Sequence, residues 1–124
     1  MLTKVKWGIH PNYQKKSTAY RPIECASLPD KVVIPIRQHI GAPCIPIVKK
    51  GDAVKKGTLI ASNDAAPLSS NIHASISGIV TDISSRPHPL FGQCTAIEIV
   101  SDGLDGWEEN LLLKQDWTSF PMRK

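Results

Sequence analysis

The chain has 124 residues, 41% of them hydrophobic and 6% aromatic, which suits one small domain with a modest core and is too little for two. A formal charge of +4 is too mild by itself to imply a nucleic-acid partner, and no apolar run approaches the roughly 18–20 residues of a membrane-spanning helix. The polar start, Met1 to Gly8, is no signal-peptide core, and Cys25, Cys44 and Cys94 stand far apart and odd in number, so a reduced, unexported chain is expected.

Residues 1–24 carry Lys4, Lys6, Lys15, Lys16 and Arg21 with Tyr13 and Tyr20 and show no apolar period, which predicts an extended N-terminal arm lying on the domain. The charge is in fact lopsided along the whole chain. Residues 1–56 hold eleven basic residues against three acidic ones, and residues 57–124 hold four against eight. Ten prolines and eight glycines interrupt every helical pattern within two turns. Short β-branched runs remain, and they read as strands: Val32-Val33-Ile34-Pro35-Ile36, Ile45-Pro46-Ile47-Val48, Thr58-Leu59-Ile60-Ala61, Ile76 to Ile83, and Thr95 to Val100. Proline in the first two cannot donate to a ladder, so both should lie at sheet edges or contain a bulge. The fold class is therefore mostly β, a small barrel or sandwich.

Between these strands, Val48-Lys49-Lys50-Gly51-Asp52-Ala53-Val54-Lys55-Lys56-Gly57 reads as strand, turn, strand. Gly51-Asp52 should make a tight turn, Val54 should point inward and Gly57 should permit a second bend. Gly78 is expected at a turn or a close backbone approach. Beyond the last strand, Asp105 followed three residues later by Glu108 has the spacing of a capping box ahead of Trp107, Leu111 and Leu112, which predicts a short C-terminal helix of about two turns. The tail then carries Trp117 and Phe120, large apolar side chains with little left to bury them.

The Gly-Asp turn, the Lys-Gly bend and the later Ala74-Ser75-Ile76-Ser77-Gly78-Ile79-Val80 resemble the two halves of a biotinyl/lipoyl hammerhead. Carriers of that kind hold their prosthetic group on a lysine at the hairpin tip between the halves. Here the tip is Ser62-Asn63-Asp64-Ala65-Ala66-Pro67-Leu68-Ser69-Ser70-Asn71, and no lysine occurs between Lys56 and Lys114, so acyl carrying is disfavoured. Further strings, Trp7-Gly8-Ile9-His10-Pro11, Gln38-His39-Ile40-Gly41-Ala42-Pro43 and His73-Ala74-Ser75-Ile76-Ser77-Gly78, make residues 7–103 similar to the N-terminal barrel-sandwich hybrid domain of the RnfC family, the C subunits of Rnf electron-transport complexes.

That resemblance implies a barrel-sandwich hybrid over residues 25–103, with 1–24 as its arm and 104–124 as a short helix and linker toward an NADH- and flavin-binding domain. It also implies a parent subunit that binds [4Fe-4S] clusters, FMN and NADH in regions outside this chain. The expected place is cytoplasmic, peripheral on the inner face of the cell membrane. The expected partners are the downstream domains and other subunits of a complex that couples electron transfer between NADH and ferredoxin to ion translocation. A non-catalytic structural or docking domain is the favoured reading, with a free-standing carrier or binding module as the alternative.

No catalytic, cofactor or metal residue is assigned. His10, His39, His73 and His88 match no zinc spacing with the cysteines, which themselves are too scattered to hold an iron–sulfur cluster. Cys44, between Pro43 and Ile45, is read as a small buried apolar residue. The candidate docking residues are Lys49, Lys50, Lys55 and Lys56, four ammonium groups expected at one end of the domain, and the apolar Trp117 and Phe120.

Overall fold

Short β-branched runs punctuated by proline and glycine cannot sustain a helix, so their backbone groups must be satisfied by pairing between runs. The computed structural model describes residues 12–109 and 111. Seven strands form: β1 (Lys31–Pro35), β2 (Ile45–Pro46), β3 (Ala53–Val54), β4 (Leu59–Ser62), β5 (Ile72–His73), β6 (Gly78–His88) and β7 (Gly92–Ser101). They build a four-stranded sheet in the order β1-β7-β6-β3 and a three-stranded sheet in the order β2-β4-β5, with every pairing antiparallel. The prolines within the first two β-branched runs sit where a missing donor costs least. Pro35 and Pro46 lie on β1 and β2, each an edge strand of its sheet.

One core serves both sheets. Ile34, Val54, Val80, Ile97 and Ile99 come from the first, Ile60, Ala61 and Ile72 from the second, and Ile36, Cys44, Ala74 and Ile76 from the connections. Ile60, Val80, Ile97 and Ile99 are fully buried, each worth roughly 1.5–3 kcal/mol relative to exposure. The barrel-sandwich hybrid expected from the sequence is thus a curled pair of sheets around a β-branched interior, and Val54 points inward as its turn requires.

The β6–β7 hairpin is the longest pairing. Val80 pairs with Ile99 and Asp82 with Glu98, leaving Thr81 as a bulge. Its hydroxyl donates to Glu98 Oε1 at 3.0 Å, and the same carboxylate meets Lys31 and Arg86, tying β1, β6 and β7 together. Both strands outrun the sequence expectation. β6 continues through Pro87, beyond the short stretch where β3 covers its other edge, so a proline is tolerated there. The two-residue strands β3 and β5 are too short to show an alternation that a sequence pattern could reveal.

Two expectations are corrected. Asp105 to Glu109 is not helical: Asp105 sits at φ 49°, and Trp107 forms a parallel bridge with Lys56 instead of a first helical turn. Both capping-box carboxylates have found partners on another part of the chain, and tertiary pairing has overridden the local signal. Residues 12–24 do not lie on the barrel either. Every residue from Asn12 to Asp30 is exposed, and the regular structure described within the arm is one 3-10 turn, Lys15–Ser17.

Gly51 adopts φ 97° in its turn, and Gly78 is held by crowding: a Cβ there would lie 1.9 Å from the carbonyl oxygen of Val100. Gly78→Val should therefore cost well over ~1 kcal/mol in urea denaturation. An unchanged midpoint would show that β6 and β7 can separate locally without loss.

Candidate functional site

The first lysine pair is displayed by a turn that the sequence builds locally. Gly51 supplies the positive φ, Asp52 accepts the Lys49 N–H through Oδ2 at 2.7 Å, and the Asp52 N–H donates to the Lys49 carbonyl. Gly51 N–H donates to Val80 O, and Val80 N–H donates to Asp52 O, which fastens the turn to β6. Lys49 and Lys50 are exposed, and among the described residues neither has a carboxylate within ion-pair distance.

The second pair is already occupied. Residues 102–109 return across the turn as a strap. Lys56 N–H donates to Gly106 O at 2.8 Å and Glu108 N–H donates to Lys56 O at 2.9 Å. Lys56 Nζ pairs with Asp105 and stands 4.5 Å from the centroid of the Trp107 ring, while Lys55 Nζ pairs with Glu109 at 2.7 Å. Thr58 Oγ1 donates to Glu108 Oε2 at 2.7 Å. The four ammonium groups therefore do not form one free patch. Lys55 and Lys56 face the chain's own acidic strap, and Lys49 and Lys50 remain outward.

A buried hydroxyl anchors the start of the strap. Ser77, 1% exposed, donates to Asp102 Oδ1 at 2.7 Å and accepts from Gly106 N–H at 2.9 Å. The Ser77 hydroxyl, with the Leu104 N–H, holds the Asp102 carboxyl below its ordinary value. The Lys55 ammonium does the same for Glu109, and Glu109 raises Lys55 in return. These exposed pairs are screened by salt, so the strap's hold rests more on its backbone bonds and on Ser77. Sequence reasoning missed Ser77, Asp102 and Asp105 as a unit, because their contacts join segments far apart in the chain.

The third surface is the tip where a hammerhead carrier would display its lysine. Residues 63–71 are fastened to the Gln38-His39-Ile40-Gly41-Ala42-Pro43 string. Ala42 N–H donates to Leu68 O at 2.9 Å, Ser70 N–H to His39 Nε2 at 3.2 Å, and Asn63 Nδ2 to Pro43 O at 2.9 Å. A Cβ on Gly41 would stand 2.3 Å from Leu68 O, so only glycine lets the two loops meet. Cys44, 2% exposed, donates its thiol to Ser70 O at 3.1 Å and is a packing residue as read from the sequence. Ile40 and Leu68 stay exposed at the crest.

The histidines are not brought together. His39 holds the tip, His88 Nδ1 accepts from Leu90 N–H and stacks on Phe91, and His73 is exposed on β5. Among the described residues there is no cluster of three or more His, Cys, Asp or Glu that could hold a metal. Cys25 is exposed and Cys94 half-buried, far from the close thiolate spacing that a [4Fe-4S] cluster demands, so these cysteines do not fit that group. His10, Trp117 and Phe120 lie outside the described residues.

Comparison with known proteins follows the same architecture. A family model described as the RnfC barrel sandwich hybrid domain matches residues 3–104. The C subunit of the proton-translocating ferredoxin:NAD(+) oxidoreductase complex of Clostridium ljungdahlii is 52% identical over 124 residues, all of this chain and 27% of that protein. The C subunit of the Na(+)-translocating ferredoxin:NAD(+) oxidoreductase complex of Acetobacterium woodii is 46% identical over 100 residues, 81% of this chain and 22% of that protein. The C subunit of the ion-translocating oxidoreductase complex of Rhodobacter capsulatus is 41% identical over 109 residues, covering 86% and 21% respectively. The chain thus spans about a quarter of the length of these relatives.

Asp102 has a folded pKa below its ordinary 3.8, so its contribution to stability is complete above about pH 4 and fades as pH falls through the folded value. Ser77→Ala removes that coupling and also leaves the Gly106 N–H without its acceptor, and the lost Gly106 hydrogen bond alone costs about 1–2 kcal/mol. The gap between the two proteins should narrow, without closing, as chemical denaturation is repeated at increasingly acid pH. A gap that is constant with pH would show that Asp102 draws nothing from the Ser77 hydroxyl.

Proposed function

The chain belongs to the RnfC barrel sandwich hybrid domain family, and from that membership we propose that it is a non-catalytic docking domain of the RnfC subunit in a membrane-associated, ion-translocating oxidoreductase complex. On this reading residues 25–103 are the barrel, 1–24 its arm and 104–124 the link toward an NADH- and flavin-binding part of the same protein. The [4Fe-4S] clusters, FMN and NADH of the parent belong to regions beyond this chain. Its place is the cytoplasmic, inner face of the membrane, held there by neighbouring domains and subunits.

The observation that carries this reading is the strap. A chain leaving a barrel need only exit into solvent, yet residues 102–109 are stapled across the Lys55-Lys56 bend by backbone bonds, a buried serine and an ion pair. Such fastening fixes the direction in which the following residues depart, which is what a domain that positions another one requires. Trp117 and Phe120 lie a few residues further on, and they dock against the next domain. Lys49 and Lys50, left free of the strap, steer approach to an acidic surface without supplying most of the affinity. The carrier alternative lacks an amine at the tip, and the tip is tied down rather than presented.

The test is reassociation of this chain with the remainder of the parent protein expressed separately. Trp117→Ala with Phe120→Ala should weaken binding by at least about tenfold, since burial of each side chain is worth roughly 1.5–3 kcal/mol. Lys49→Glu with Lys50→Glu should slow association and reduce its salt dependence while leaving dissociation nearly unchanged. The isolated chain should show neither flavin absorbance nor NADH oxidation. Full-strength binding by the aromatic double variant would sink the docking assignment, and a mass increase after co-expression with biotin or lipoate ligase would restore the carrier reading.

A further inference from the structure

The strap's carboxylates are spent on Lys55 and Lys56, and among the described residues Lys15, Lys16 and Arg21 of the arm have no ion-pair partner. Residues 1–24 contain Lys4, Lys6, Lys15, Lys16 and Arg21 against one acidic residue, Glu24 at the end nearest the barrel. The barrel's paired carboxylates, Asp82, Glu98, Asp105 and Glu109, are engaged with Lys31, Lys55, Lys56 and Arg86, and none reaches Lys15, Lys16 or Arg21. The hydrogen bonds described within residues 12–24 are all local, from Ser17 to Gln14, from Thr18 and Ala19 to Lys15, and from Arg21 to Thr18.

Large apolar side chains alternate with these cations and are equally open to solvent. Tyr13 is 78% exposed, Tyr20 97% and Ile23 fully so, and Lys15 Nζ lies 4.9 Å from the centroid of the Tyr13 ring. An acidic protein surface would answer the charges and leave the apolar groups in water. A layer of anionic phospholipid headgroups answers both, because aromatic side chains with one polar end settle at the headgroup level while basic residues draw on the negative surface potential. We propose that residues 12–24 dock on an anionic phospholipid surface as a basic, aromatic arm. This goes beyond the docking role argued above and does not depend on the strap.

The experiment is co-sedimentation of the whole 124-residue chain with vesicles rich in phosphatidylglycerol and, separately, with pure phosphatidylcholine. Binding should require the anionic lipid. Each basic residue near the surface is worth roughly a factor of five, so Lys15→Gln, Lys16→Gln and Arg21→Gln together should lower affinity about a hundredfold. Tyr13→Ala with Tyr20→Ala should remove the binding that survives in high salt. Because residues 12–24 are all exposed, circular dichroism of every variant should match the parent. Equal binding to both vesicles, no binding to either, or an unaltered affinity in the triple variant would overturn the proposal. So would displacement by soluble polyglutamate with no effect of the tyrosine substitutions, which would make the arm a reader of acidic protein.

Discussion

The close approach of Gly78 to the backbone of Val100 is the constraint on which the rest of the molecule depends. Gly78 pairs with Val54 on one side and Ser101 on the other, so one residue sets the register of the lysine turn, the long hairpin and the start of the strap. A side chain there would push β7 away from β6 and open the row of Val80, Ile97 and Ile99 that closes the core. The preceding residue, Ser77, faces into that junction and gathers Asp102 and Gly106. Fold and strap are consequences of the same two-residue Ser-Gly step.

The strength of the strap is unevenly distributed. Its ion pairs are the feature that catches the eye in sequence, eleven basic residues in one part and eight acidic in the other, yet exposed pairs in salt contribute little. The backbone bonds between Lys56 and residues 106 and 108, and the hydroxyl buried at Ser77, resist water far better. The charges choose the register and the dry contacts keep it. That division explains why Lys55 and Lys56 are unavailable for a partner while Lys49 and Lys50, a few residues away in the same motif, remain open.

Much of this was legible because β-branched runs and edge prolines report on strands directly. Pro35 and Pro46 located one edge of each sheet, and Gly51-Asp52 located the turn. The strings that resemble the family were legible as strings but not as mechanics: Gln38 to Pro43 reads as a loop, and only the folded chain shows His39 and Gly41 holding the tip. The first turn of the helix expected from Asp105 and Glu108 does not form, for a physical reason, and the rest of that expected helix lies largely outside the described residues. A capping box competes with any better donor, and Lys56 with Thr58, nearly fifty residues away, are better donors. Strands of two residues carry no period to detect, and the strap's partners are joined only by folding.

The tip bears on the two uses proposed for this architecture. A carrier needs a tip that presents a reactive amine and leaves it free to visit distant sites. Here the amine is absent, and residues 63–71 are tethered by backbone, imidazole, amide and thiol donors or acceptors to the opposing loop. Four such tethers would be a handicap to a swinging group and an advantage to a surface that must keep its shape while a partner is seated. The exposed Ile40 and Leu68 crown that fixed tip, on loops that the strap's contacts do not include. A tethered crest and a strap fastened across the Lys55-Lys56 bend are the features that the docking role proposed above would draw on.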